Sequence, residues 1–122
     1  MTASTHVAQA TAAVLALSRA TQQVGPDWEF APQARAALGQ LARLARVLPE
    51  VIEYTLVPVE HAHGHGRLTV DGGGNPARAA QHLGAAVRTA VQAAELLADA
   101  LAHAHAAAFP LGVDTSKSPT SA

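Results

Sequence analysis

The chain of 122 residues contains no cysteine and few aromatic residues, which make up 3% of it. The first absence excludes a disulfide framework and any site that needs a thiolate. The second leaves alanine as the largest contributor to a hydrophobic content of 49%. Because an alanine side chain removes little apolar area from water, an alanine core gains little free energy from burial. A thin core of this kind favours self-association, since an oligomer buries more area per residue.

Charge is also sparse, and neither sign dominates. Only eight residues are lysine or arginine, and the net charge is −1 with histidine neutral. The chain lacks the basic surplus that neutralises a phosphate backbone, so nucleic acid is not an expected partner. The first six residues lack the basic region of a secretory signal, and with the absence of cysteine this predicts a cytoplasmic protein. Charged residues interrupt each long apolar stretch, so neither a transmembrane helix nor a membrane partner is predicted.

The longest predicted helix covers residues 75–109. Asn75 is a favourable cap, Pro76 suits the first helical position, and Pro110 ends the run. Apolar residues recur along it at steps of three and four, as on one face of a helix: Leu83, Val87, Ala90, Ala94, Leu97, Leu101, Ala104 and Ala108. A second stripe consists only of alanine: Ala79, Ala86, Ala93, Ala100 and Ala107. We expect one stripe to form the intramolecular core and the other to be left for a second chain.

Two shorter helices are predicted before it. The first spans residues 4–23. It is followed by Gly25 and a proline, a common helix stop signal. The second spans residues 32–60. Its apolar stripe stays in phase across Pro49, which predicts a kink there, and the helix is expected to fray or end around Pro58.

Together these elements predict an all-α protein with one domain, residues 1–110. Long helices joined by short connections form an up-down-up antiparallel three-helix bundle, here with a kinked second helix and a long third helix. The connection between the first two helices contains Trp28 and Phe30, whose rings either plug one end of the bundle or anchor a partner. Residues 111–122 are rich in serine, threonine and proline and are predicted to be a disordered tail.

Histidine is the one enriched reactive residue type, with seven copies. His61, His63 and His65 lie in a predicted loop of residues 60–74, and the bundle topology places His6 and His82 at the same end. Since imidazole is the commonest metal ligand, these five residues form a candidate site for Zn²⁺, Ni²⁺ or Cu²⁺. Two alternatives stay open: a pH-sensitive loop, and histidines without a role in a sequence rich in alanine and glycine.

No catalytic set is found, so the chain is not predicted to be an enzyme. None of its serines lies in a Gly-x-Ser-x-Gly elbow, and its helical carboxylates fall on polar faces. The glycine-rich segment of residues 71–76 lacks the Gly-Lys-Ser/Thr sequence of a phosphate loop. It also does not follow a strand of a βαβ unit, so a dinucleotide site is not predicted.

Two comparisons with known protein types rest on local sequence composition, and neither identifies a functional residue. The segment of residues 44–50, rich in leucine, alanine and arginine, resembles small helical proteins of bacteria with GC-rich genomes. Trp28-Glu29-Phe30 lacks the glycine of the Trp-x-Gly turn found in small secreted helical-hairpin proteins, so that family is rejected.

The sequence therefore predicts a non-catalytic helical module for protein–protein interaction, an adaptor or regulator that forms a homodimer. Its expected interface residues are Ala79, Ala86, Ala93, Ala100, Ala107, Trp28 and Phe30. No cofactor is predicted in this interpretation. The alternative is a metal-binding protein that uses the histidine loop.

Overall fold

The computed structural model of the protein describes residues 2–112 and residue 114. It contains four helices: α1 (Ala3–Ala20), α2 (Ala31–Tyr54), α3 (Val57–Gly64) and α4 (Pro76–Ala108). The described residues form no strand, only an isolated bridge between Gly25 and Trp28, so the all-α class is confirmed. Most of the predicted disordered tail lies outside the described residues.

The long helix α4 begins and ends within one residue of the predicted bounds. The Asn75 side chain accepts hydrogen bonds from the backbone N–H groups of Ala77 (2.9 Å) and Arg78 (3.2 Å). Pro76 occupies the first helical position, where its missing N–H needs no partner. With 33 residues, α4 is about 50 Å long. The Asn75 cap and Pro76 thus set the start of α4, the helix against which α2 and α3 pack.

The predicted second helix, residues 32–60, is two helices in the structure. α2 passes through Pro49 and ends at Tyr54, four residues before Pro58. A proline cannot donate a hydrogen bond to the carbonyl four residues earlier, and its ring clashes with that carbonyl. Instead, the backbone N–H groups of Thr55 and Leu56 donate to the carbonyl oxygens three residues earlier. The helix α3 then follows and continues to Gly64. The first part of the predicted loop is therefore helical.

The helices α2, α3 and α4 form an antiparallel hairpin. Near one end, Arg35 Nη1 donates to the carbonyl oxygen of Phe109 at 2.9 Å. Further along the hairpin, Arg46 Nη1 on α2 lies 2.8 Å from Asp99 Oδ1 on α4. Early residues of α2 thus meet late residues of α4, and α3 continues along the first half of α4.

Alanine forms the buried core of this hairpin. Within the described part of the chain only Ala45 (2% exposed), Ala94 (7%) and Ala98 (0%) are buried. Small side chains allow the two helix backbones to approach closely, but they remove little apolar area from water. The two helices therefore lie close together, but burial of this core contributes little free energy to folding.

The predicted three-helix bundle is not confirmed, because α1 does not pack along another helix in the described structure. Every residue of α1 is exposed. The helix ends at Ala20, and the Thr21 N–H and hydroxyl both donate to the carbonyl oxygen of Leu17. In the described structure, no other helix packs along the apolar side chains of α1.

Candidate interaction surface

One face of α4 packs against α2 and α3. Its members are buried or half-buried and follow one another at steps of three and four residues: Ala80, Gly84, Val87, Val91, Ala94, Ala98, Leu101, His105 and Ala108. This face differs from the predicted core stripe, of which Leu83 and Leu97 are exposed at 38% and 48%. Relative to the predicted stripe, the packed face is rotated about the axis of α4 toward the side on which residues 84, 91, 98 and 105 lie. Two of these, Gly84 and His105, are not apolar, so a search for apolar side chains alone misses them.

A second apolar row on α4 has no partner in the described chain. We call it the free seam, and its members are all exposed: Leu83, Ala86, Ala90, Ala93, Leu97, Ala100 and Ala107. They recur at steps of three and four except where half-buried Ala104 lies between the last two. At about 100° of rotation per residue, the free seam lies roughly a quarter turn from the packed face. It has the pattern of a helix–helix contact on a helix already in contact along another face.

The alanines predicted as interface residues are accessible. Ala86, Ala93, Ala100 and Ala107 belong to the free seam, and Ala79 is exposed one turn before it. None of them contributes to the hairpin core. They are therefore free to meet another helix in a second chain.

The helix α1 carries a further exposed apolar stripe. The four larger apolar side chains of α1 are exposed, at 61% for Val7, 48% for Val14, 51% for Leu15 and 38% for Leu17. Val7, Ala10, Val14 and Leu17 lie on one face at steps of three and four. The only ionisable side chains on this helix are His6 and Arg19. Most helical stability in proteins comes from packing of an amphipathic face, and the apolar stripe of α1 lacks such packing in the described structure.

The connection between α1 and α2 has a defined shape. Gly25 and Trp28 exchange two backbone hydrogen bonds, of 3.2 and 2.9 Å. Gln33 Oε1 accepts from the N–H groups of Glu29 (2.6 Å) and Phe30 (2.8 Å). An open cavity of about 320 Å³ at this corner is lined by Val24, Trp28, Phe30 and Ala34, among others.

The two aromatic rings of the connection differ in exposure. Trp28 is half-buried, and Phe30 keeps 43% of its surface exposed. The structure thus places one ring against the corner and leaves the other accessible. Amphipathic and aromatic side chains of this kind favour interfaces when they are accessible.

The histidines do not gather as a set of five. His61 and His63 lie in α3, and His65 caps its end. The rings of His61 and His65 are 4.3 Å apart between centroids, whereas His63 lines a groove with Gln81 and Arg88 on the side that faces α4. No group of three or more histidine, aspartate or glutamate side chains in the described residues is arranged to hold a metal ion.

The His61–His65 pair has one feature of a ligand pair. His65 Nδ1 lies 2.8 Å from the carbonyl oxygen of His61. A proton on Nδ1 makes this a hydrogen bond and leaves the Nε2 lone pair of His65 available. Metal-binding histidines are commonly oriented in this way by a backbone carbonyl.

The phenol of Tyr54 is an ionisable group whose pKa is shifted. The hydroxyl of Tyr54 donates to Glu50 Oε1 at 3.1 Å, and this hydrogen bond together with the negative charge of Glu50 raises the pKa of Tyr54. Both residues lie on the exposed face of α2. At a spacing of four residues, the pair stabilises one helical turn of α2.

Comparison of the chain with protein-family models, with curated proteins and with solved structures gave no match. In residues 2–112, none of the helices is long and apolar enough to cross a membrane. Function is therefore inferred from the geometry of the exposed surfaces.

Proposed function

We propose that the chain is a non-catalytic helical interaction module of the cytoplasm that forms a homodimer and acts as an adaptor or regulator of another protein. The observation that supports this most directly is the free seam. It follows a helix–helix pattern over most of α4, yet all of its members are exposed.

The weakness of the hairpin core gives a physical reason to dimerise. Full burial of a leucine or valine side chain contributes about 1.5–3 kcal/mol, and no side chain larger than alanine is buried in the described part of the chain. Leu83 and Leu97 offer the largest unburied area on the free seam. Covering them supplies free energy comparable with a sizeable fraction of the roughly 5–15 kcal/mol that stabilises an ordinary domain.

A dimer built on α4 leaves a second surface for another protein. Phe30 lies at the α1–α2 corner, at the far end of the hairpin from α3, and remains exposed. We assign this corner, with Trp28 and Phe30, to the regulated partner because accessible aromatic rings next to a cavity suit an interface anchor.

The homodimer is tested by native mass spectrometry and by light scattering over a range of protein concentrations. Ala93→Glu places a charge in the middle of the free seam, and Ala85→Glu places the same charge on the exposed face turned away from α2, about 80° round α4 from Ala93. We expect the natural chain and Ala85→Glu to be dimeric and Ala93→Glu to be monomeric, with equal helix content by circular dichroism. A natural chain that stays monomeric at high concentration contradicts the proposal.

A metal site is the second candidate function, and the geometry of His61 and His65 favours it. Two imidazoles four residues apart at a helix end can bind one Zn²⁺, Ni²⁺ or Cu²⁺ ion, with water or another chain completing the coordination. Titration calorimetry with Zn²⁺ tests this. His61→Ala and His65→Ala should abolish binding, while His63→Ala, on the other face of α3, should leave it unchanged.

A further inference from the structure

An open groove of about 460 Å³ between α2 and α4 collects side-chain hydrogen-bond donors. Its polar lining consists of Gln40, Arg43 and Arg46 on α2 and His105 on α4, and no carboxylate is among the described residues that line it. Within residues 2–112, the side chains of Gln40, Arg43 and His105 have no hydrogen-bond or ion-pair partner. The groove therefore presents positive charge and unused donors to a ligand from solution.

The two arginines of the groove are placed to bind one anion together. They are three residues apart on α2, so their Cβ atoms lie about 5–6 Å from each other on one side of the helix. Each guanidinium group presents five N–H donors in a planar fork that matches the oxygens of a phosphate or a carboxylate. Arg46 Nη1 donates to Asp99 at 2.8 Å in a pair whose side chains are both more than half exposed, and its other donors remain available.

Small residues leave space between these donors. The ring of His105 lies against Gly39, where an added Cβ atom would approach its Nε2 atom to 3.1 Å. Ala36 and Ala42 line the rest of the groove without filling it. Small-molecule sites commonly have volumes of about 300–1,000 Å³, so the groove has room for an organic group attached to the anion.

The number of donors favours a phosphate over a carboxylate. A carboxylate has two oxygens, which one guanidinium fork can satisfy, whereas a phosphate monoester carries three strong acceptor oxygens and about −1.5 to −2 charges. Arg43, Arg46 and Gln40 together supply donors for all three oxygens. A nucleic acid would need a longer basic stripe, but Glu50 and Glu53 follow the two arginines on α2.

We propose that this groove binds the phosphate group of a small phosphate monoester. Arg43 and Arg46 bind the phosphate oxygens, Gln40 donates its amide hydrogens, and His105 forms the wall on the side of α4. None of the lining residues belongs to the free seam or to the His61–His65 pair. The inference therefore goes beyond the proposed function and does not depend on it.

Isothermal titration calorimetry of the full-length chain tests the site, with ribose 5-phosphate as the probe. We expect one molecule to bind per chain. Inorganic phosphate should bind more weakly, because it leaves part of the groove unfilled, and ribose should not bind, because it has no charge for the arginines. An absence of binding by ribose 5-phosphate at millimolar concentrations overturns the proposal.

A matched pair of arginine variants locates the site. Arg43→Gln removes the unpaired guanidinium and should weaken binding about tenfold or more, as expected for the loss of a hydrogen-bonded charge. Arg88→Gln removes the same charge from an exposed position roughly 25 Å along α4 from His105 and should change the affinity less than twofold. Circular dichroism should show equal helix content in both variants, because both side chains are exposed.

A second pair tests the role of Arg46. Asp99→Asn removes the carboxylate that competes for this guanidinium and should tighten binding about twofold or more. Glu95→Gln removes the same charge one turn earlier on α4, from a side chain without an ion pair among the described residues, and should have a smaller effect. Equal effects of the two variants would contradict the assignment of Arg46 to the site.

Two further outcomes decide against the proposal. Equal weakening by Arg43→Gln and Arg88→Gln would mean that the probe is attracted by overall charge, as an adventitious ion only. Inorganic phosphate that binds as tightly as ribose 5-phosphate would overturn the assignment to a monoester, because the organic group then contributes nothing.

Discussion

His105 on α4 lies directly over Gly39 on α2. A Cβ atom added at Gly39 would approach His105 Nε2 to 3.1 Å and two ring carbons to 3.4 Å. The contact forms one wall of an open groove of about 460 Å³, also lined by Gln40, Arg43 and Arg46. The imidazole can therefore shift toward solvent when position 39 gains a methyl group.

We expect Gly39→Ala to stabilise the protein by about 0.5 kcal/mol. Glycine inside a helix costs about 0.8–1.0 kcal/mol relative to alanine, and the displaced ring of His105 offsets part of this gain. Urea unfolding at fixed protein concentration gives the difference. In a His105→Ala background the gain should rise to the full 0.8–1.0 kcal/mol; an equal gain in both backgrounds would show that the ring does not resist the methyl group.

Adjacent positions on α4 should respond very differently to substitution. Ala98 is 0% exposed, so Ala98→Leu overpacks the α2–α4 contact and should cost about 1–3 kcal/mol. Asp99, whose side chain is 67% exposed, pairs with Arg46 at 2.8 Å. Such a surface salt bridge contributes about 0–1 kcal/mol, so Asp99→Asn should lower the free energy of unfolding only slightly, and less at high salt. Chemical unfolding of both variants checks this order, and Ala85→Leu on the exposed face serves as the control.

The cap of α4 should be worth about 1 kcal/mol. Asn75→Ala removes the side-chain oxygen that accepts from Ala77 and Arg78, and the loss of such a cap costs about 0.5–2 kcal/mol. Thermal unfolding followed by circular dichroism measures the loss. Asn75→Asp keeps an acceptor at the same place and should retain the stability; a fall as large as that of the alanine variant would mean that the cap is not the cause.

The single tyrosine allows a clean test of the Glu50–Tyr54 hydrogen bond. Glu50→Gln weakens the hydrogen bond from the Tyr54 hydroxyl and removes the negative charge, which together raise the pKa of Tyr54, so this pKa should fall toward its ordinary value of about 10. The tyrosinate absorbance, titrated against pH, reports it directly. Glu29→Gln, which is remote in the chain, should leave the titration unchanged.

The sign of the pH effect follows from the direction of that shift. A raised pKa means that folding favours the neutral hydroxyl, so the pair stabilises the protein below the ordinary pKa of tyrosine. This stabilisation is lost as the pH rises through the raised pKa. Stability that increases with pH above 10 would contradict the assignment.

The sequence was sufficient where local chemistry decides the structure. Asn75 and Pro76 specify the start of α4 through a side-chain cap and a missing N–H, and neither requires a neighbour. Pro58 likewise marks the end of α2 four residues earlier. The continuation of helix beyond residue 60, to Gly64, was not predicted, because this part of α3 contains glycine and histidine and α3 packs on α4 through a tertiary contact.

The packing arrangement was less accessible to sequence analysis. The hairpin packs through the row that contains half-buried Gly84 and His105, two residues that no apolar pattern selects. His105 belongs there because it covers Gly39, a contact between helices about 65 residues apart in the chain. The position of α1 depends on whether its stripe meets its own chain or a second one, and the same periodicity fits both. For the same reason, the separation of His63 from His61 and His65 required the structure.

The division of the first arm of the hairpin into α2 and α3 implies that the fold does not open as one unit. All three buried alanines lie where α2 meets α4, and α3 has no buried residue. Local opening free energies follow buried contacts, so amide hydrogens of α3 and of the first turns of α4 should exchange before those around Ala45 and Ala98. We therefore expect the end of the hairpin that carries His61, His63 and His65 to open while the rest stays closed, so that a ligand bound there would act on this local equilibrium without unfolding the chain.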